Sequence, residues 1–228
     1  MVHIIVINLE RAPDRREQLE KQFNKLNISD YTFYPAFDSI NVKNAFFKLP
    51  IMKGVGIGRN LSSTELSIII SHISALKYVK IMKFDNVIIL EDDVVICEDW
   101  KERIDNLLKN LPIDWEYVYL AGHSDYVKIP MYENPTIIKA PKMVGAFSYM
   151  VNQEGAEKLI KYCGEFMTTY DDMITHKIEA GKLNAYLYLP FMTYHIAGKS
   201  YNWDINCELH TSFKYFKNKI KNENTNRN

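Results

Sequence analysis

Two stretches, Val2-His3-Ile4-Ile5-Val6-Ile7 and Val87-Ile88-Ile89-Leu90, leave almost no polar position on either face of a strand. A strand with one wet face alternates apolar and polar residues. A near-continuous apolar run needs a sheet covered on both sides, which in practice means helices packed against each face. The intervening segments supply those helices. Pro13 opens one with Leu19, Phe23 and Leu26 at helical spacing. Ser62-Ser63-Thr64-Glu65 forms a capping box ahead of Leu66, Ile69, Ile70, Ile73 and Leu76. Asp99 can cap a helix carrying Trp100, Ile104, Leu107, Leu108 and Leu111, and Asn152 one carrying Ala156, Leu159, Ile160 and Cys163. A further short helix starts at Asp171. Strands are expected at Tyr31–Tyr34, Tyr117–Ala121, Ile137–Lys139, Gly145–Val151 and Ala185–Leu189. This alternation predicts an α/β domain with a mostly parallel central sheet.

With 228 residues, 47% of them apolar, the chain can build one large core, and no repeat or linker divides it. A single domain over 1–212 is expected, followed by a Lys- and Asn-rich tail over 213–228. That tail suits a solvated end or weak peripheral contact with an acidic membrane surface. Residues from about Phe37 to Asn60, including Gly54, Gly56 and Gly58, carry no period and read as a long loop. Twenty-eight basic and 28 acidic residues leave no surplus charge for general nucleic-acid binding. Cys97, Cys163 and Cys207 are too scattered for a disulfide scaffold or a tetracysteine zinc site. The N-terminal run lacks a basic leader, which points to a cytoplasmic protein.

The chemistry concentrates where the second buried run stops. Glu91-Asp92-Asp93 follows Leu90 directly. Three adjacent carboxylates repel one another and resist desolvation, so they sit in water or are neutralised by a cation. In open α/β sheets ligands bind beyond the carboxyl ends of the strands, where these acids fall. A hard divalent ion shared with substrate phosphates fits them. Asn8 to Arg16 places Arg11, Arg15 and Arg16 past the first strand and over a helix N-terminus, a setting that suits a diphosphate or, equally, ion pairs with Asp14, Glu17 and Glu20. Glu65 and His72 lie two turns apart on one helix, open to a capping role and a hydrogen-bonded core role respectively. Asp171-Asp172 at a helix start can cap it and favour its dipole, and His195 can complete a metal site.

Four blocks in order resemble glycosyltransferase family 25, the family of lipopolysaccharide-type sugar transferases and procollagen galactosyltransferases. Ile7-Asn8-Leu9 with Arg11, Asp14 and Arg15 is similar to its "INLxRxxDR" opening, and Glu65 with Ser71-His72 to its "GEIGCxLSH" helix. Ile88 to Val94 is similar to its "xxLEDD" motif. Gly145 to Tyr149, Gly155-Ala156 and the Asp171 region resemble its later blocks. Ser67 and Ile68 stand where the family has glycine and cysteine.

The resemblance implies a single GT-A type, Rossmann-like α/β/α sandwich. It implies transfer of a hexose, galactose first and glucose second, from a UDP-sugar to a hydroxyl of a glycan, glycolipid or protein, with inversion. Mn²⁺ or Mg²⁺ would sit on Asp93 with Asp92 or Glu91 assisting; the resemblance reaches only to about Pro190, and His195 is placed at the metal on its residue type alone. Asn8, Arg11, Arg15, Glu65, His72, Glu91, Asp92 and Gly145 would line the donor site. Asp171, with Asp172 second, would take the acceptor proton. A non-catalytic binding module and a metal-dependent phosphohydrolase are the alternatives; the latter is disfavoured because the first strand ends without a nucleophilic Asp and the six histidines are scattered.

Overall fold

The computed structural model describes residues 2–41, 61–124, 129, 134–164 and 168–195. The tail, Cys207, and the glycine-bearing part of the expected loop lie outside them. Strands β1 (His3–Asn8), β2 (Tyr31–Pro35), β3 (Asn86–Glu91), β5 (Tyr117–Tyr119), β6 (Thr136–Lys139), β7 (Ser148–Asn152) and β8 (Ala185–Leu189) form one sheet in the order β2-β1-β3-β7-β5-β8-β6. A separate pair joins β4 (Val94–Ile96) to β9 (Thr193–His195). The helices are α1 (Pro13–Lys25), α2 (Ser63–Met82), α3 (Trp100–Asn110), α4 (Gln153–Cys163) and α5 (Tyr170–Glu179).

Parallel pairing of β1 with β2 and β3, and of β5 with β8, leaves only β7 and β6 reversed among the described strands. The sheet is therefore mostly parallel, as the unbroken apolar runs imply, and it lies between two helical layers. Ile5, Ile7, Val87, Ile89, Tyr117, Tyr149 and Val151 pack toward α2, α4 and α5. Their neighbours Ile4, Val6, Ile88, Leu90, Val118 and Met150 pack toward α1 and α3. Each fully buried Leu, Ile or Phe side chain contributes about 1.5–3 kcal/mol, so both sets are needed.

Local signals act as expected at most helix starts. Ser62 Oγ accepts from Glu65 N at 3.2 Å, and Glu65 Oε2 accepts from Ser62 N at 2.7 Å. Asn152 Oδ1 accepts from Gly155 N at 2.8 Å. A Cβ at Gly155 would lie 2.1 Å from the Glu116 carbonyl oxygen, so only glycine lets α4 approach β5 this closely. Two expectations are corrected. Asp99 makes no capping hydrogen bond, because its carboxylate instead lies 2.8 Å from Arg103 Nε. Helix α5 starts one residue before Asp171, with Thr169 at its N-cap.

Candidate active site

The parallel register of β1 and β3 sets Ile7 opposite Glu91, so the two strands deliver Asn8 and the acid cluster to the same edge of the sheet. Asp92 turns inward. Its Oδ2 accepts from Asn8 Nδ2 at 2.8 Å and from Leu9 N at 3.3 Å, and its Oδ1 accepts from Arg15 Nη1 at 2.8 Å. Arg15 reaches back from the first turns of α1 and also donates to Asp93 Oδ2 at 3.1 Å. One guanidinium thus neutralises two buried carboxylates, which no arrangement in water would require. Burial pushes the Asp92 carboxyl above the ordinary range, and the bonds from Arg15 and Asn8 offset only part of that rise.

Asp93, as buried as Asp92, has a second partner. A turn at Asp92 and Asp93 leads into β4, whose Val94 pairs with His195 of β9. That pairing carries a residue from the far end of the described chain to the acid cluster. His195 Nε2 lies 3.2 Å from Asp93 Oδ1. Burial pushes the Asp93 carboxyl up, but His195 and Arg15 together outweigh it and hold the pKa below its usual value. For His195 burial lowers the pKa, and Asp93 with Glu91 more than reverses this.

Glu91, Asp93 and His195 each offer a ligand atom, and these atoms lie within 4.8 Å of one another. Asp93 Oδ1 is buried and makes no well-aligned hydrogen bond, its contact with His195 Nε2 being that of an ion pair. A buried carboxylate oxygen whose near neighbours are an imidazole and a half-buried carboxylate matches the oxygen and nitrogen donor set of Mn²⁺ or Mg²⁺. The residues fit the implied metal, with Glu91 rather than Asp92 beside Asp93 and His195.

The small sheet that carries His195 is pinned from two sides. From α1, Gln22 Nε2 donates to the Val94 carbonyl at 3.1 Å while Gln22 Oε1 accepts from Ile96 N at 2.8 Å, imitating a neighbouring strand along β4. From α3, buried Arg103 Nη1 donates to the carbonyls of Pro190 and Phe191 at 2.8 and 2.9 Å. Sequence reasoning missed both residues. Their roles depend on contacts across the fold, and three-residue strands such as β4 and β9 are too short to show a period.

The remaining expected site residues spread around this centre. His72 is buried beneath it: its Nε2 lies 3.3 Å from Glu91 Oε1 and its Nδ1 3.1 Å from the Tyr149 hydroxyl. Glu65 is engaged in its capping box two turns away. Arg11 Nε donates to Asp38 at 2.6 Å on a more exposed flank. Gly145 adopts φ +92°, and its N–H donates to Asp171 Oδ2 at 3.1 Å. Two residues on, the Phe147 ring meets His195 edge-on at 5.3 Å. Asp172 instead accepts from the hydroxyl of Thr169 at 2.9 Å. Of the two aspartates, Asp171 is the one bonded to the segment that leads to His195.

A model of glycosyltransferase family 25 (LPS biosynthesis protein) matches residues 1–174. Human procollagen galactosyltransferase 2 is 26% identical over 169 residues, which cover 69% of this chain and 27% of that protein. The procollagen lysyl hydroxylase and glycosyltransferase of Acanthamoeba polyphaga mimivirus is 25% identical over 171 residues, covering 68% of this chain and 19% of the relative. The chain therefore spans well under a third of the length of these two relatives. Among solved structures, a glycosyltransferase involved in glycosylation of the major capsid of PBCV-1 gives a TM-score of 0.47 at 10% identity, covering 86% of this chain and 96% of that one. An active-site mutant of LgtC gives 0.47 at 12% identity, covering 95% and 94%. The family model covers most of the 228 residues and includes the β1 edge, the α2 capping box and the acid cluster, so the chain belongs to glycosyltransferase family 25.

Proposed function

We propose that this glycosyltransferase moves a hexose, galactose before glucose, from a UDP-sugar to a hydroxyl acceptor, with inversion and with a divalent metal. The observation that carries the reading is the cluster of Glu91, Asp93 and His195 at the carboxyl edge of the sheet, in which the buried Oδ1 of Asp93 has His195 Nε2 3.2 Å away and one oxygen of Glu91 within 4.8 Å. Glu91, Asp93 and His195 would hold Mn²⁺ or Mg²⁺. Bound there, such an ion supplies Lewis-acid stabilisation of the diphosphate charge. Arg15 holds Asp93 in place by its bond to Oδ2, leaving Oδ1 toward the site. The galactosyl preference rests on the names of the procollagen relatives. The acceptor is a hydroxyl of a glycan, glycolipid or protein.

Inversion at the sugar carbon requires a carboxylate on the acceptor side to take the hydroxyl proton. Asp171 has that role, fixed through Gly145 N and the start of α5. The test is release of UDP from UDP-galactose and UDP-glucose, with water or a simple glycoside as acceptor, with and without Mn²⁺. Wild type should turn over only with metal. Asp93→Asn should lose metal dependence and rate together. Asp171→Asn should lose rate at least about 100-fold while binding UDP normally, as expected for removal of a general base. Near-normal turnover in Asp171→Asn would remove it from the mechanism. A folded wild type that binds UDP and Mn²⁺ yet releases nothing from any donor would instead mark a binding module.

A further inference from the structure

His72 is 1% exposed, and the groups around it form a continuous chain: Tyr170 Oη to Tyr149 Oη at 3.1 Å, Tyr149 Oη to His72 Nδ1 at 3.1 Å, and His72 Nε2 to Glu91 Oε1 at 3.3 Å. The ring of His72 stacks on that of Tyr170, with centroids 4.3 Å apart and an interplanar angle of 16°, so it cannot swing away. Tyr149 is fully buried and Tyr170 2% exposed. Each hydroxyl has one proton to give, and a carboxylate only accepts. If Glu91 is ionised, Nε2 must carry the proton that points at it. Nδ1 of a neutral ring must then accept, and the donor it faces is the Tyr149 hydroxyl. Tyr149 in turn receives the Tyr170 proton. For a neutral His72 ring, only one direction along the chain makes all three bonds.

We infer that Tyr149 is a positioning residue for the metal site, acting through His72. By fixing the Nε2–H tautomer it aims a donor at one oxygen of Glu91 and turns the carboxylate toward Asp93 and His195. The inference rests on the proposed metal reading, but its core is a statement about the metal-free protein. In a dry interior such a chain strengthens each bond and leaves no solvent to substitute for a lost donor. Outer-shell partners of metal ligands typically alter metal affinity about 10–100-fold. Tyr149 is one step further out, so an effect near the lower end of that range is expected.

The experiment uses the full 228-residue chain. The ¹⁵N shifts of the His72 ring, assigned with a His72→Gln control, report its tautomer without metal. Mn²⁺ affinity is then measured calorimetrically for wild type, Tyr149→Phe and Tyr170→Phe. Wild type should show Nε2–H at His72. Tyr149→Phe, which keeps the packed ring, should lose the single tautomer and bind Mn²⁺ about tenfold more weakly. Tyr170→Phe should have a smaller effect in the same direction. A merely structural role would lower thermal stability and leave tautomer and affinity alone. An Nδ1–H or doubly protonated ring in wild type overturns the inference, as does unchanged Mn²⁺ affinity in a folded Tyr149→Phe. If wild type binds no Mn²⁺, the metal reading fails, and the tautomer alone decides the relay. Should Tyr149→Phe not fold, Tyr170→Phe and the wild-type tautomer decide it.

Discussion

Asp92 and Asp93 are neighbours with opposite duties, and their partners explain why. Asp92 stitches Asn8, the Leu9 amide and Arg15 together, so its removal leaves the Leu9 N–H unpaired, Asn8 Nδ2 with only the Ala12 carbonyl, and a share of the guanidinium charge uncompensated. Asp92→Ala should therefore destabilise the fold by about 3 kcal/mol, as measured by urea unfolding. Stability within about 0.5 kcal/mol of wild type would show that the cluster is held otherwise. Asp93 is tuned toward charge. In the metal-free protein the raised His195 pKa stabilises below its unfolded value near 6.5, and that contribution fades as pH climbs past the folded value. The depressed Asp93 pKa works at the other end, its contribution fading as pH falls below 3.8 toward the folded value. The difference in Tm between wild type and His195→Gln should then be largest between these limits and shrink at alkaline pH. A difference that grows with pH would contradict the pairing. Metal binding needs a neutral imidazole, so Mn²⁺ affinity should rise over the same alkaline range in which the metal-free pair loses its stabilisation.

At the scale of elements, the small β4–β9 sheet decides whether there is a site at all. Arg103 ties α3 to the carbonyls of Pro190 and Phe191, three and two residues ahead of β9. Arg103→Met should keep the stem of the side chain but free both carbonyls, costing about 2–3 kcal/mol and weakening Mn²⁺ binding together. Stability loss without any change in metal affinity would mean that Gln22 alone keeps β9 in register. Much of the rest was legible beforehand. Runs such as Ile4–Ile7 and Val87–Leu90 announce strands covered on both faces, and Ser62 with Glu65 announces the start of α2, because those signals are local. The reversal of β7 was not legible. Residues Ser148 to Val151 are buried on both faces like the parallel strands, so their pattern carries no direction. The Asp99 cap failed for a related reason: a partner on the same helix, Arg103, competes for the carboxylate once the helix has formed. Within the site, Glu91 and Asp93 could be found from the acid triplet itself. The choice between Glu91 and Asp92 turned on which carboxylate meets Asn8 and Arg15, and that is fixed only by the pairing of β1 with β3.

For the whole molecule, the order β2-β1-β3-β7 puts the ends of two parallel strands beside a reversed one, and the candidate site lies at that junction. Residues from both ends of the described chain, Asn8 and His195, converge there through separate sheets. A ligand that bridges them should stabilise the entire fold. None of the helices among the described residues is long and apolar enough to cross a membrane. The proposed binding of a nucleoside diphosphate to the Glu91, Asp93 and His195 cluster through a divalent ion is tested most directly by thermal unfolding with UDP, GDP or CMP, each with and without Mn²⁺. At about 100 times its dissociation constant a ligand adds roughly 2.7 kcal/mol, or about 5–10 °C for a domain of this size. That shift is expected for UDP with Mn²⁺, little for UDP alone, and none in Asp93→Asn. An equal shift without metal, or one that survives in Asp93→Asn, would contradict it.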